Sequence, residues 1–118
     1  MTQWFDARRF GALFLKETQN KATREVPLEL LLHIATRGFP VIVDLWSSQM
    51  PQGHSVTVYG GEQGSVLFVD PGSGDYASAQ TEAFRKEWIR DFAILYPRQV
   101  QFPRDLKRAL RSYSTVYT

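Results

Sequence analysis

The stretch "VIVDLWSSQMPQGHSVTVYGGEQGSVLFVDPGSG", residues 41–74, decides how this chain is read. Val41–Leu45 is a short β-branched run of the kind a buried strand uses, and Ser55–Tyr59 alternates, with Val56 and Val58 on one face. Ser65–Val69 is a third such run, and residues 60–64, "GGEQG", have the glycine content of a hairpin loop between the second and third. "PGSG" at 71–74 is a further turn. Strands joined by loops this short must be antiparallel, because a parallel pair needs a crossover of a dozen residues or more.

Upstream, "PLELLLHIATRGFP" (27–40) reads as a well-punctuated helix. Pro27 suits the first helical position, and Leu28, Leu31, Leu32 and Ala35 fall at i, i+3, i+4 and i+7. Gly38 stands where a helix is commonly capped, and Pro40 stops its continuation. "WFDARRFGALFLKE" (4–17), with Phe10, Leu13 and Phe14 between charges, reads as another amphipathic helix, and the polar "ETQNKATREV" (17–26) as a loop. Downstream, "SAQTEAFRKEWIRDF" (78–92) supplies a helix with Phe84, Trp88 and Ile89 inward and Ser78 or Thr81 as N-cap. "FAILY" (92–96) reads as a strand stopped by Pro97, and "RDLKRALRSY" (104–113) as a last amphipathic helix. The order helix, helix, three strands, helix, strand, helix describes an α+β fold, helices packed on an antiparallel sheet.

Composition bounds this reading. With 118 residues, 43% of them apolar and 14% aromatic, the chain is one domain's worth, 1–118, with a single core. No apolar run approaches the roughly 20 residues of a membrane span. The N-terminus, "MTQWFDARRF", has an acid and two arginines where a secretory signal would be apolar. The expected location is therefore cytoplasmic, or exported without a classical signal peptide. Zero cysteines excludes disulfides and thiolate-bound metals, and with two histidines a zinc site would rely heavily on carboxylates. His33, mid-helix, reads as a boundary residue. "YGGEQGS" lacks the Lys-Ser/Thr ending of a phosphate loop and joins two strands. No cofactor and no metal is expected.

The block "GFPVIVDLWSSQMPQGHSVTVYGGEQGSVLFVDPGSG…FRKEWIRDFAILYP" resembles the C-terminal half of papain-like cysteine peptidases, most of all the bacterial double-glycine leader peptidases that process bacteriocin precursors. Gly38, Pro40, Gly53-His54, Asp70-Pro71, Gly72, Phe84 and Trp88 follow in that family's order, and the likeness covers about residues 28–96. The resemblance implies a papain-like fold with His54 as general base and Asp70 as the acid orienting its ring. Strand geometry is compatible with that pairing. A hairpin brings the start of one strand beside the end of the next, and a carboxylate accepting from one ring nitrogen fixes the tautomer that leaves the other free. The plainer alternative makes Asp70 a turn former before Pro-Gly and His54 an ordinary strand residue.

The family's nucleophile is a cysteine opening a long helix, and this chain has none. Phe10-Gly11 with Gln3 upstream is the nearest alignment to the family's Cys-Gly and glutamine, with spacing off by one. Ser47 and Ser48 lie in the loop "WSSQMPQ" rather than on a helix N-terminus and read as turn residues. The resemblance puts Trp46, in that loop, near the mouth of a groove, with Gly53 beside it as a peptide- or partner-contact residue.

The last helix carries a second candidate surface. Leu106, Ala109, Leu110 and Tyr113 share one face, and Arg104, Lys107, Arg108 and Arg111 repeat that spacing two residues earlier, about 200° away. Four cations in one stripe suit an acidic partner, phospholipid or nucleic acid, although a net charge of +2 favours none of them and nucleic acid is not the preferred partner.

Three expectations of function follow. The first is a cysteine-less papain-like domain binding a peptide or protein in the groove beside His54. The second is an active protease or deamidase, a bacterial toxin or effector domain whose cysteine is replaced in this sequence. The third is a small adaptor or immunity-type protein that binds through the basic C-terminal helix. Cysteine-less relatives of the leader peptidases that sit on exporters and bind without cutting give the first a precedent.

Overall fold

The computed structural model describes residues 8–15, 26–113 and 116–117. Among them ten elements follow in order: β1 (Phe10–Leu15), α1 (Leu28–Thr36), β2 (Val41–Ser47), β3 (Met50–Glu62), β4 (Ser65–Asp70), β5 (Asp75–Gln80), α2 (Thr81–Glu87), β6 (Ala93–Pro97), α3 (Arg104–Arg111) and β7 (Val116–Tyr117). The strands form one open antiparallel sheet in the order β5-β4-β3-β2-β6-β1-β7, of which β7 is a two-residue edge. The fold class is therefore α+β, an antiparallel sheet with three helices, as the meander of residues 41–74 implied.

The meander forms because its valines alternate. Val41 and Val43 on β2 face Val58 and Val56 on β3, and all four are at most 1% exposed. Above them lie Leu28, Leu31 and Ile34 of α1, Phe84 of α2, and Leu106 and Leu110 of α3, so all three helices close on one core. Burying a side chain of this size is worth about 1.5–3 kcal/mol, which makes this shared core the main support of the fold. Pro27 precedes α1 as its N-cap in extended backbone rather than opening the helix, and Gly38 takes φ +99° just beyond the C-terminus. The loop expected over 17–25 lies outside the described residues, while Val26 at its end is buried.

Three expectations are corrected. Residues 10–15 form a strand, not part of a helix. Ala12 and Leu13 are both buried, at 1% and 0%, so the segment is a short apolar run between β6 and β7, and such a run carries no decisive period. Gly11 sits opposite Tyr96, where an added Cβ would lie 2.6 Å from the ring. Glycine here allows close approach across strands.

Second, the helix expected from residue 78 begins at Thr81, because residues 75–80 pair with β4 through six consecutive positions as β5. Ser78 is thus a strand residue, Gln80 is the N-cap, and no side chain caps the helix. The helix ends at Glu87 because Trp88 turns extended, with ψ 128°, and bridges to Leu45. Phe84 and Trp88 are buried as expected, but Ile89 lies past the helix and is 54% exposed.

Third, the "WSSQMPQ" segment is a tight hairpin. β2 runs through Trp46 to Ser47, and only Ser48 and Gln49 turn before β3 starts at Met50. His54 is the fifth residue of a long strand, not its opening.

Candidate functional site

β3 is longer than its partner allows, and the excess makes the site. Leu45 pairs with His54 and Ser47 with Met50, so three residues of β3, including Gly53, stand against one of β2. Gly53 takes φ +83°, a left-handed conformation that a side chain would strain. The bulge splays the end of the β2–β3 hairpin into a hollow of about 380 Å³ lined by Asp44, Leu45, Trp46, Pro51, Gln52, Gly53, His54, Ser55 and Ile89. Trp46 is half exposed on its rim, its indole N–H donating to the Pro51 carbonyl at 3.0 Å.

β4 runs beside β3 and ends at Asp70, bringing that carboxylate to the His54 ring. His54 Nε2 lies 2.8 Å from Asp70 Oδ2, and both side chains are about a quarter exposed. The other carboxylate oxygen, Oδ1, accepts the Gly72 N–H at 2.8 Å. Asp70 is thus a turn former and a histidine partner at once, one oxygen for each. The Gly72 N–H first, and then His54, hold its carboxyl below the ordinary range, so it is ionised at neutral pH. With Nε2 occupied, Nδ1 is the nitrogen left to accept a proton or a ligand's hydrogen bond.

The opposite wall comes from the segment after α2. β6 pairs with β2 only at Val41 and Ile42, and beyond that point residues 88–91 take over the edge of β2. The Ile89 N–H donates to the Asp44 carbonyl at 3.2 Å, and the Asp44 N–H donates to the Asp91 carboxyl at 3.0 Å. The Trp88 indole donates to the Asp91 carbonyl at 2.7 Å, and Arg90 lies over the Trp88 ring at 5.3 Å.

The Asp44 and Asp91 carboxyls also meet each other. Burial, followed by that contact, pushes Asp91 up to about 7, while the same contact and the Ser55 hydroxyl pull Asp44 down. One proton shared between two carboxyls relieves their repulsion. Ser55 donates to Asp44, so its hydroxyl is turned from His54.

Of the residues the sequence put forward, His54, Asp70, Trp46 and Gly53 come together at this hollow. Arg104, Lys107, Arg108 and Arg111 line a separate hollow on α3 that shares no residue with the first. Phe10-Gly11 lies on β1, so the alignment that placed a nucleophile there on a helix N-terminus fails. Among the described residues, Asp70 is the one hydrogen-bond partner of the His54 ring, and no group of three or more His, Asp or Glu is placed to hold a metal ion. No helix among them is long and apolar enough to cross a membrane. No protein-family model, curated protein or solved structure matches the chain.

Sequence reasoning missed Asp44, Asp91 and Ile89. Asp44 gave a faint signal as the one charge inside a β-branched run. Asp91 gave none, lying 47 residues from its partner.

Proposed function

We propose that this chain is a papain-like domain without its thiol, binding an extended peptide or protein segment in the hollow beside His54. The observation that carries the reading is the His54–Asp70 pair at 2.8 Å, set by adjacent strands beside an open hollow rather than buried in the core. Leu45, Trp46, Pro51 and Ile89 supply apolar contact, and Asp44, Gln52, Ser55 and the free His54 nitrogen supply hydrogen bonds. That mixture suits a peptide, whose backbone needs polar partners and whose side chains need apolar ones. Gly-His and Asp-Pro on neighbouring strands also support the papain-like ancestry.

The second reading, a protease or deamidase, draws support from the same pair, since an ionised acid orienting a ring is what a general base requires. It needs a thiol opposite Nδ1, and the sequence has no cysteine. Binding is the conclusion for the chain as it stands.

The test is selection of peptides from a random displayed library on the full chain, followed by titration of a selected peptide observed through the ring resonances of His54 and Trp46. Both rings shift under the reading, and Trp46→Ala weakens binding about tenfold or more, as expected for loss of an aromatic anchor. Peptides that bind without moving either ring, or a library that yields none, would overturn it.

A further inference from the structure

α3 turns its apolar stripe to the core, with Ala109 and Tyr113 half-buried beside its two leucines. Leu106 is 3% exposed and Leu110 0%, so nothing greasy remains on its outer side. That side carries Arg104, Lys107, Arg108 and Arg111 around a shallow hollow of about 300 Å³. Two other cations are neutralised: Arg37 meets Asp105 at 2.9 Å and Arg85 meets Glu29 at 2.6 Å. None of the four outer cations of α3 has an ion pair or side-chain hydrogen bond with a described residue. Asp105, the one acid of α3, is drawn to α1 by Arg37. A second hollow, lined by Gln99 and Gln101 among others, adjoins the first through Lys107.

We propose that this face docks on the phosphodiester backbone of a double-stranded nucleic acid. Three of the four cations are arginines, whose planar fork matches phosphate oxygens. They span the eight residues of α3, about 10 Å from first to last, which is the reach of about three phosphates along one strand of a duplex.

The alternatives fail on what the face lacks. A helix lying in a membrane surface inserts an apolar side, and this one has already buried it. A protein interface centres on an aromatic or aliphatic anchor, whereas these cations surround none. Single strands bind on exposed aromatic platforms. Of the rings that flank α3, Phe102 is 6% exposed and packed between Phe39 and Tyr96, and Tyr113 is half-buried against the core. A duplex backbone asks for none of these and is held by charge alone. Binding is therefore independent of base sequence, and independent of the hollow beside His54.

The experiment is fluorescence anisotropy of a labelled duplex of about two helical turns, titrated with the full chain across a salt series. Neutralising about three phosphates gives a log–log salt slope of about −2.7, or about a fortyfold loss of affinity between 50 and 200 mM salt. Arg108→Gln lowers that slope in magnitude by about 1, and Lys107→Gln with Arg111→Gln by about 2. Arg108→Lys restores most of the binding, which separates lost charge from a misfolded variant. No binding at the lowest salt, or a slope that these substitutions leave unchanged, overturns the proposal. So does equal or tighter binding to a single strand, a polyglutamate peptide or a phosphatidylserine vesicle.

Discussion

Two regions of this molecule handle charge in opposite ways. At the hollow beside His54, charges are matched: Asp70 against His54 and Gly72, Asp44 against Ser55, and Asp91 against Asp44 through a shared proton. On the outer face of α3, four cations stand with no partner among the described residues. Matched charges fix geometry and contribute little field at a distance. Unmatched ones fix no geometry and project their field into solvent, where screening sets its reach at about 8 Å in physiological salt. The first arrangement suits a shaped ligand in a defined pose, the second a polyanion met by charge.

The sharpest way to break this comparison is to remove the wall that the matched charges hold. Trp88 is 3% exposed, bridges to Leu45 and donates to the Asp91 carbonyl. Trp88→Ala is expected to cost about 3–5 kcal/mol in urea unfolding, as for other buried aromatics cut to alanine. A cost below about 1 kcal/mol would mean that residues 88–91 are not integrated with the sheet.

The next effect is a pH dependence. Asp91 is raised to about 7, by burial first and by Asp44 second. The folded chain therefore keeps a proton that the unfolded chain releases near the ordinary carboxylate value. Its contribution to stability is whole below that value and is lost as pH rises through about 7. Asp44 is shifted the other way, so its contribution is lost as pH falls, in the acid range below Asp91's window. Asp91→Asn carries a permanent hydrogen-bonding neutral group. Melting of the two proteins should therefore diverge between about pH 5 and about pH 8, with the variant gaining on the wild type. Parallel curves would show that no shared proton holds this wall.

How much of this was legible in the sequence follows from which elements bury side chains. β2, β3 and β4 alternate because one face of each meets the core, and their valines marked them. β5 buries almost nothing: it is an edge strand held by its backbone ladder to β4, with Tyr76 75% exposed and leaning on Tyr59. An element with no buried face leaves no pattern. β1 failed for the opposite reason, since burial of consecutive residues mimics either period. The His54–Asp70 pairing was legible because a hairpin fixes it locally. The Asp44–Asp91 wall was not, because tertiary packing alone brings those residues together.

Smaller again is the stability carried by the pair at the hollow. Both side chains are about a quarter exposed and in contact with water, so Asp70→Asn should change unfolding stability little. The asparagine retains an oxygen for the Gly72 N–H, so the turn survives. What changes is the ring: nitrogen NMR should find the His54 proton fixed on Nε2 in the wild type and distributed over both nitrogens in the variant. A ring already distributed in the wild type would leave Asp70 as a turn former alone.

The smallest expected effect bears most directly on why the cations of α3 are there. Each of the four has two like-charged neighbours at i±3 or i±4, and each such contact opposes the helix by about 0.2–0.5 kcal/mol. Arg108 and Arg111 recover this against the carbonyl end of the helix, where cations are favoured by about 0.3–1 kcal/mol. Arg104 stands in the first turn, where the helix dipole opposes it as well. Arg104→Gln should therefore stabilise the chain by a few tenths of a kcal/mol, more at low salt, while Arg111→Gln changes little. Thermal melts at two ionic strengths would show the ordering. A side chain whose removal stabilises the fold is not kept there by folding, so its contribution has to be sought in what the helix meets. Loss of stability on Arg104→Gln would instead make it a structural residue and weaken the contrast between the two regions.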